Sequence, residues 1–102
     1  MNGQGLDREK VFSIIDAHKD EIRCYGVRKL GLFGSFARGE ERAVSDLDFV
    51  VQFEHASFDS YMDLKFFLEE LFGMPVDLVL SDSIKPRLRP YILPETLYAQ
   101  GF

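Results

Sequence analysis

Gly34 and Ser35 are followed, after ten residues, by Asp46 and Asp48. A glycine that ends an apolar run lets the backbone turn tightly, and the amides of the helical turn it opens point outward at the positive end of a dipole. Such a turn suits a phosphate-sized anion. Ser35 adds a hydroxyl donor, and Arg38, one turn further on, adds a planar charged fork. The two aspartates alternate along an extended segment, so both face the same way. Their backbones lie roughly 6 to 7 Å apart, which lets their oxygens converge on two divalent ions about 4 Å apart. Magnesium suits such donors, because it prefers oxygen, keeps waters and takes substrate phosphates. A phosphate turn beside a metal-holding pair points to chemistry on a nucleoside triphosphate. At average residue usage, this combination at this spacing arises by accident on the order of once in a thousand chains of this length.

Asp77 is the third candidate, since an acid inside Val76-Asp77-Leu78-Val79-Leu80 is costly unless paired or ligated. The expectation is that it binds the metal nearer the acceptor and helps remove the proton of an attacking hydroxyl. Plainer readings stand beside each of these. Gly-Ser is common loop punctuation, with Arg38 then pairing with Glu40 or Glu41. Asp46 and Asp48 could be acids that keep a strand edge from aggregating, although aspartate is poorly suited to strands. Asp77 could be an edge acid facing solvent. His18 and His55 are read as structural, and Cys24 as a packing residue near a helix end. Lys85, Arg87 and Arg89 form a local basic patch, either a partner or phosphate contact or ordinary solvated charge.

The elements that must position these groups follow from periodicity. With 102 residues, 46% of them hydrophobic, the chain is expected to form one domain over 1–102. Residues 6–25 carry helical spacing, with Asp7 as N-cap, Leu6 and Val11 as a staple, and Gly26 as the stop. Residues 29–33 form a first strand and 35–39 one or two helical turns. Residues 46–53 form a second strand, with Leu47, Phe49, Val51 and Phe53 on one face and Asp46, Asp48, Val50 and Gln52 on the other. Phe58–Phe72 is a long helix opened by Ser57 or Ser60 and closed by Gly73, and Val76–Leu80 is a third strand. Pro86, Pro90 and Pro94 cut the remainder, so short helical turns are expected at 83–89 and 95–99. The fold class is α/β, a small mixed sheet flanked by helices.

The net charge of -5 works against long nucleic acids as partners, although bound magnesium would neutralise part of it. A single cysteine excludes an internal disulfide and fits a reducing compartment. No apolar run approaches the roughly 18 residues of a membrane span, and the first residues lack a secretory layout. A cytoplasmic protein is expected.

Taken together, Gly34-Ser35, ten residues, Asp46-x-Asp48 and the later Asp77 resemble the nucleotidyltransferases of the DNA polymerase beta-like superfamily. Within it, the segments 34–40, 45–48, 76–79 and 84–88 are similar to the minimal nucleotidyltransferases, or MNT proteins. The resemblance implies a nucleotidyltransferase fold in which Gly34 and Ser35 hold the triphosphate, Asp46 and Asp48 coordinate two Mg2+ ions, Asp77 completes the triad and Arg38 assists at the phosphates. It implies transfer of a nucleoside monophosphate from ATP to a hydroxyl, with release of pyrophosphate. It also implies a partner, because MNT proteins act as antitoxins beside a HEPN ribonuclease toxin and silence it by adenylylating a tyrosine. Pro90 and Pro94 depart from the more helical tail expected of that group. Two further readings stay open: a binding module that neutralises a toxin by contact alone, and a small-molecule transferase of the aminoglycoside type, which 102 residues leave little wall to support.

Overall fold

A computed structural model describes residues 6–40 and 46–102. Residues 1–5 and 41–45, with Glu41 and Ser45 among them, lie outside the described residues. The elements run α1 (Arg8–Ala17), α2 (Lys19–Arg23), β1 (Val27–Phe33), α3 (Gly34–Arg38), β2 (Leu47–Phe53), α4 (Phe58–Phe72), β3 (Val76–Leu80), a 3-10 turn (Ser81–Ser83), α5 (Arg89–Ile92) and β4 (Leu97–Tyr98). The sheet order is β3-β2-β1-β4, with β2 and β3 parallel and the other pairs antiparallel. The mixed α/β sheet is the one expected. Its parallel pair exists because α4 carries the chain back to the same end of the sheet.

Local chemistry explains most boundaries. The Asp7 carboxylate accepts the Lys10 amide and starts α1, and the Ser57 hydroxyl accepts the Ser60 amide and starts α4. Gly73, at φ 66°, closes α4 in the left-handed conformation. One sheet face packs Leu30, Leu32, Leu47, Phe49, Val51, Val76 and Leu78 against Val11, Ile15, Ile22, Leu64 and Leu68. This core leaves the opposite face of β2, with Asp48, Val50 and Gln52, for other uses.

Several expectations are corrected. The helix expected over 6–25 is two helices broken at His18, whose backbone leaves helical geometry while its Nδ1 pairs with Glu21 at 2.7 Å and its ring edge meets Phe67. The buried stripe of Val11, Ile15 and Ile22 continues across the break, so periodicity alone does not reveal it. Cys24 is exposed at the end of α2 rather than packed, because that helix turns Ile22 inward instead. The helical turn expected at 95–99 is the strand β4, which covers the open edge of β1 through Gly31↔Tyr98 and Leu32↔Leu97. A Cβ at Gly31 would run into Thr96 and the Tyr98 ring, so glycine makes this approach possible. The turn expected at 83–89 is present at 85–89, where the Lys85 carbonyl accepts the Leu88 and Arg89 amides, and it runs on into α5, where Pro90 sits in the first turn and needs no amide partner. Among the described residues no helix is long and apolar enough to cross a membrane.

Candidate active site

The geometry begins with Gly34. The chain leaves β1 and turns there at φ 78°, and a Cβ on this residue would strike the Asp48 carboxylate. The proposed phosphate turn and the proposed metal ligand therefore lie in direct contact. α3 follows as five residues whose Phe36 and Ala37 are buried, anchoring a segment too short to persist alone. Gly39 ends it at φ 73°.

The three aspartates meet at one end of the sheet. Asp48 pairs in register with Phe33 of β1 on one side and with Asp77 of β3 on the other. In a parallel pair, residues directly opposite project to the same face, so Asp48 and Asp77 face the same space. Asp46, exposed just ahead of β2, lies close enough for its charge to act on Asp48. Asp48 is half-buried and Asp77 is exposed on an edge strand. Among the described residues none of the three forms an ion pair.

That arrangement is electrostatically tense. Burial, followed by the charges of Asp77 and Asp46, pushes the Asp48 carboxyl up to about 6; Glu95 adds to the rise and Arg38 opposes it. Because the folded value lies above the unfolded one, the native state binds the proton more readily. Stability is therefore lost as pH rises through the window from about 4 to about 6. Asp48→Asn should thus stabilise the metal-free protein at pH 7.5 by about 1 kcal/mol, discounted for solvent contact, and by nothing measurable at pH 4. Thermal melts in chelator at the two pH values check this.

A divalent cation fits the donor set. Among the described residues no three acidic side chains close into a ready-made cage. Magnesium does not need one, since it takes one or two protein carboxylates and completes its shell with waters and phosphate oxygens. Crowded carboxylates beside an anion turn are what such an ion would relieve.

Arg38 bonds Glu40 through Nε at 2.8 Å, the surface pairing left open by the sequence, and also Glu95 through Nη1 at 3.0 Å. Glu40, followed by Glu95, holds the guanidinium pKa above its ordinary value. Glu95 Oε2 also accepts the Gly34 amide at 2.9 Å. The sequence reading missed Glu95, because a strand of two residues after Pro94 leaves no periodic signal. His18 is engaged with Glu21, and His55 is exposed away from the cluster. The basic patch is split: Arg89 donates to the Ser81 carbonyl, while Lys85 and Arg87 face solvent. A cavity of about 440 Å³ between α1 and β4 is lined by Phe12, Ile15 and Leu97 and includes none of the three aspartates. A smaller polar hollow of about 210 Å³, lined by Lys29, Val50, Gln52, Asp82, Arg89 and Tyr98, opens further along the strand that carries Asp48.

The profile of the nucleotidyltransferase domain family matches residues 14–99, which spans β1, the Gly34 turn and all three aspartates. The chain belongs to that family. It is 42% identical over 95 residues to the protein adenylyltransferase MntA of Thermococcus cleftensis, covering 91% of this chain and 96% of that protein. A solved chain taken to be a minimal nucleotidyltransferase superposes with a TM-score of 0.79 at 36% identity, covering 93% of this chain and 98% of that one. A third match is to the structure of a tri-AMPylated Shewanella oneidensis HEPN toxin in complex with MNT antitoxin, with a TM-score of 0.64, 18% identity and coverage of 89% and 73%. At that identity it shows the fold alone. This minimal nucleotidyltransferase is an enzyme by family, so its chemistry is a nucleotidyl transfer.

Proposed function

We propose that the protein transfers AMP from ATP to a tyrosine hydroxyl of a HEPN ribonuclease toxin and thereby acts as its antitoxin in the cytoplasm. The observation that carries this reading is the in-register opposition of Asp48 and Asp77, with the Gly34 turn packed against Asp48. In this reading Ser35 and Arg38 receive the triphosphate at the turn that Gly34 makes, and Asp46, Asp48 and Asp77 would hold two Mg2+ ions. Magnesium, when bound, supplies the positive charge that stabilises the transferring phosphoryl group. The acceptor oxygen bonds to the α-phosphorus, the bond to the β-phosphate oxygen breaks, and pyrophosphate leaves. Asp77 takes the hydroxyl proton as general base. The adenylyltransferase name of the Thermococcus relative supports ATP as donor and protein as acceptor, and the Shewanella complex supports a HEPN toxin as partner.

The test mixes the purified protein with α-labelled ATP, magnesium and the product of the neighbouring gene, on this reading a HEPN protein. Label on the HEPN protein, with a mass increase of one AMP on a tyrosine, is the expected outcome. A HEPN protein silenced without label would instead make this chain a contact inhibitor. Label on an added aminoglycoside, with no partner protein present, would make it a small-molecule transferase.

A further inference from the structure

Resting on the nucleotide site proposed above, we infer that Glu95 is its positioning residue, and that the carboxy-terminal segment serves the site by delivering that carboxylate. α3 carries Ser35 and Arg38 on only five residues, and its N-cap position, Phe33, offers no side-chain acceptor. Glu95 supplies what Phe33 lacks. Its Oε2 accepts the Gly34 amide at 2.9 Å and the Arg38 Nη1 at 3.0 Å, so a single oxygen ties the first amide of α3 to its last side chain. Helices this short do not hold their shape unaided, and a charged bridge across both ends fixes the direction of Arg38 relative to the turn.

The fold explains why the carboxylate is there. β4 pairs antiparallel with β1 through Leu32↔Leu97, and continuing that register by two residues sets Glu95 opposite Gly34. Buried Thr96 donates its hydroxyl to the Ile92 carbonyl at 2.7 Å, which fixes the turn ahead of the strand. Glu95 keeps 29% of its side chain exposed, so it stands at the rim of the site rather than in the core. With the Gly34 amide committed to Glu95, the amide and hydroxyl of Ser35 are, among the described residues, the groups of the turn left for a phosphate.

The opposite role has an opposite sign. Were Glu95 a resident anion that ATP must displace, its removal would tighten nucleotide binding. As a positioning residue, its removal loosens it. Binding of a non-hydrolysable ATP analogue with magnesium, measured by calorimetry on the full chain, separates the two. Glu95→Ala is expected to weaken binding by about tenfold to a hundredfold. Glu95→Gln, which keeps an acceptor for Gly34 but no charge for Arg38, is expected to fall between Ala and wild type. Arg38→Ala and Glu95→Ala combined should lose less than the two losses multiplied, since each breaks the same bridge. In the transfer assay, KM for ATP should rise while kcat at saturation stays within about threefold. A merely structural residue would lower the melting temperature without that split, and such a result overturns the inference. So does a folded Glu95→Ala, or a folded Glu95→Gln if the alanine variant does not fold, that binds the analogue as tightly as wild type or tighter. Wild type that binds no ATP at all would instead overturn the ATP site proposed above, and this inference with it.

Discussion

A double variant, Asp46→Ala with Asp48→Ala, should lose at least about a thousandfold in AMP transfer while remaining folded and bound to its partner. Metal charge at a transferring phosphoryl group is worth several kcal/mol, and each 1.36 kcal/mol is about tenfold in rate. The fold should tolerate the change, because Asp48 is held in a repulsive site with no ion pair to lose among the described residues, and Asp46 is exposed. Initial rates with labelled ATP give the activity, and size-exclusion chromatography with the HEPN protein gives the binding. Equal labelling by wild type and double variant would remove Asp46 and Asp48 from the mechanism. Retained inhibition of the toxin by an inactive, fully bound variant would shift the antitoxin effect to contact.

Gly34→Val should be the most damaging single substitution at the site. The backbone there is at φ 78°, which costs a β-branched residue about 1 to 3 kcal/mol, and the new side chain would enter the Asp48 carboxylate. A loss of about 2 kcal/mol in stability is expected, together with ATP binding too weak to detect. Gly39→Ala is the matched control. Its φ is 73°, yet among the described residues nothing lies within 4 Å of a Cβ at that position, so it should cost about 1 kcal/mol of strain and leave ATP binding near wild type. Denaturant melts and calorimetry on both variants check the contrast. Near-normal nucleotide binding by Gly34→Val would mean that the turn is not where the phosphates go.

Sequence reached the site more completely than it reached the tail. That Asp48 and Asp77 lie together was legible because aspartate interrupts otherwise good strands, whereas Asp46, expected on the same strand face as Asp48, lies just ahead of β2. The limits of α4 were legible because Ser57 and Gly73 mark them with specific backbone chemistry. The break at His18 was hidden, since the apolar stripe runs unbroken from Val11 through Ile15 to Ile22. The β4 strand was hidden for a different reason. Two residues cannot display alternation, and what makes them a strand is the open edge of β1 and the space above Gly31, both tertiary facts. Glu95 went unread with it, because its meaning lies in standing opposite Gly34 across a ladder that periodicity could not announce.

The most direct measurement is a crystal structure with Mn2+ in place of magnesium and a non-hydrolysable ATP analogue, recorded at the manganese edge. The account predicts anomalous peaks held by Asp46, Asp48 and Asp77, with the triphosphate on Ser35 and beneath Arg38. Nucleotide seated instead in the cavity between α1 and β4, or manganese bound without Asp48, would contradict it.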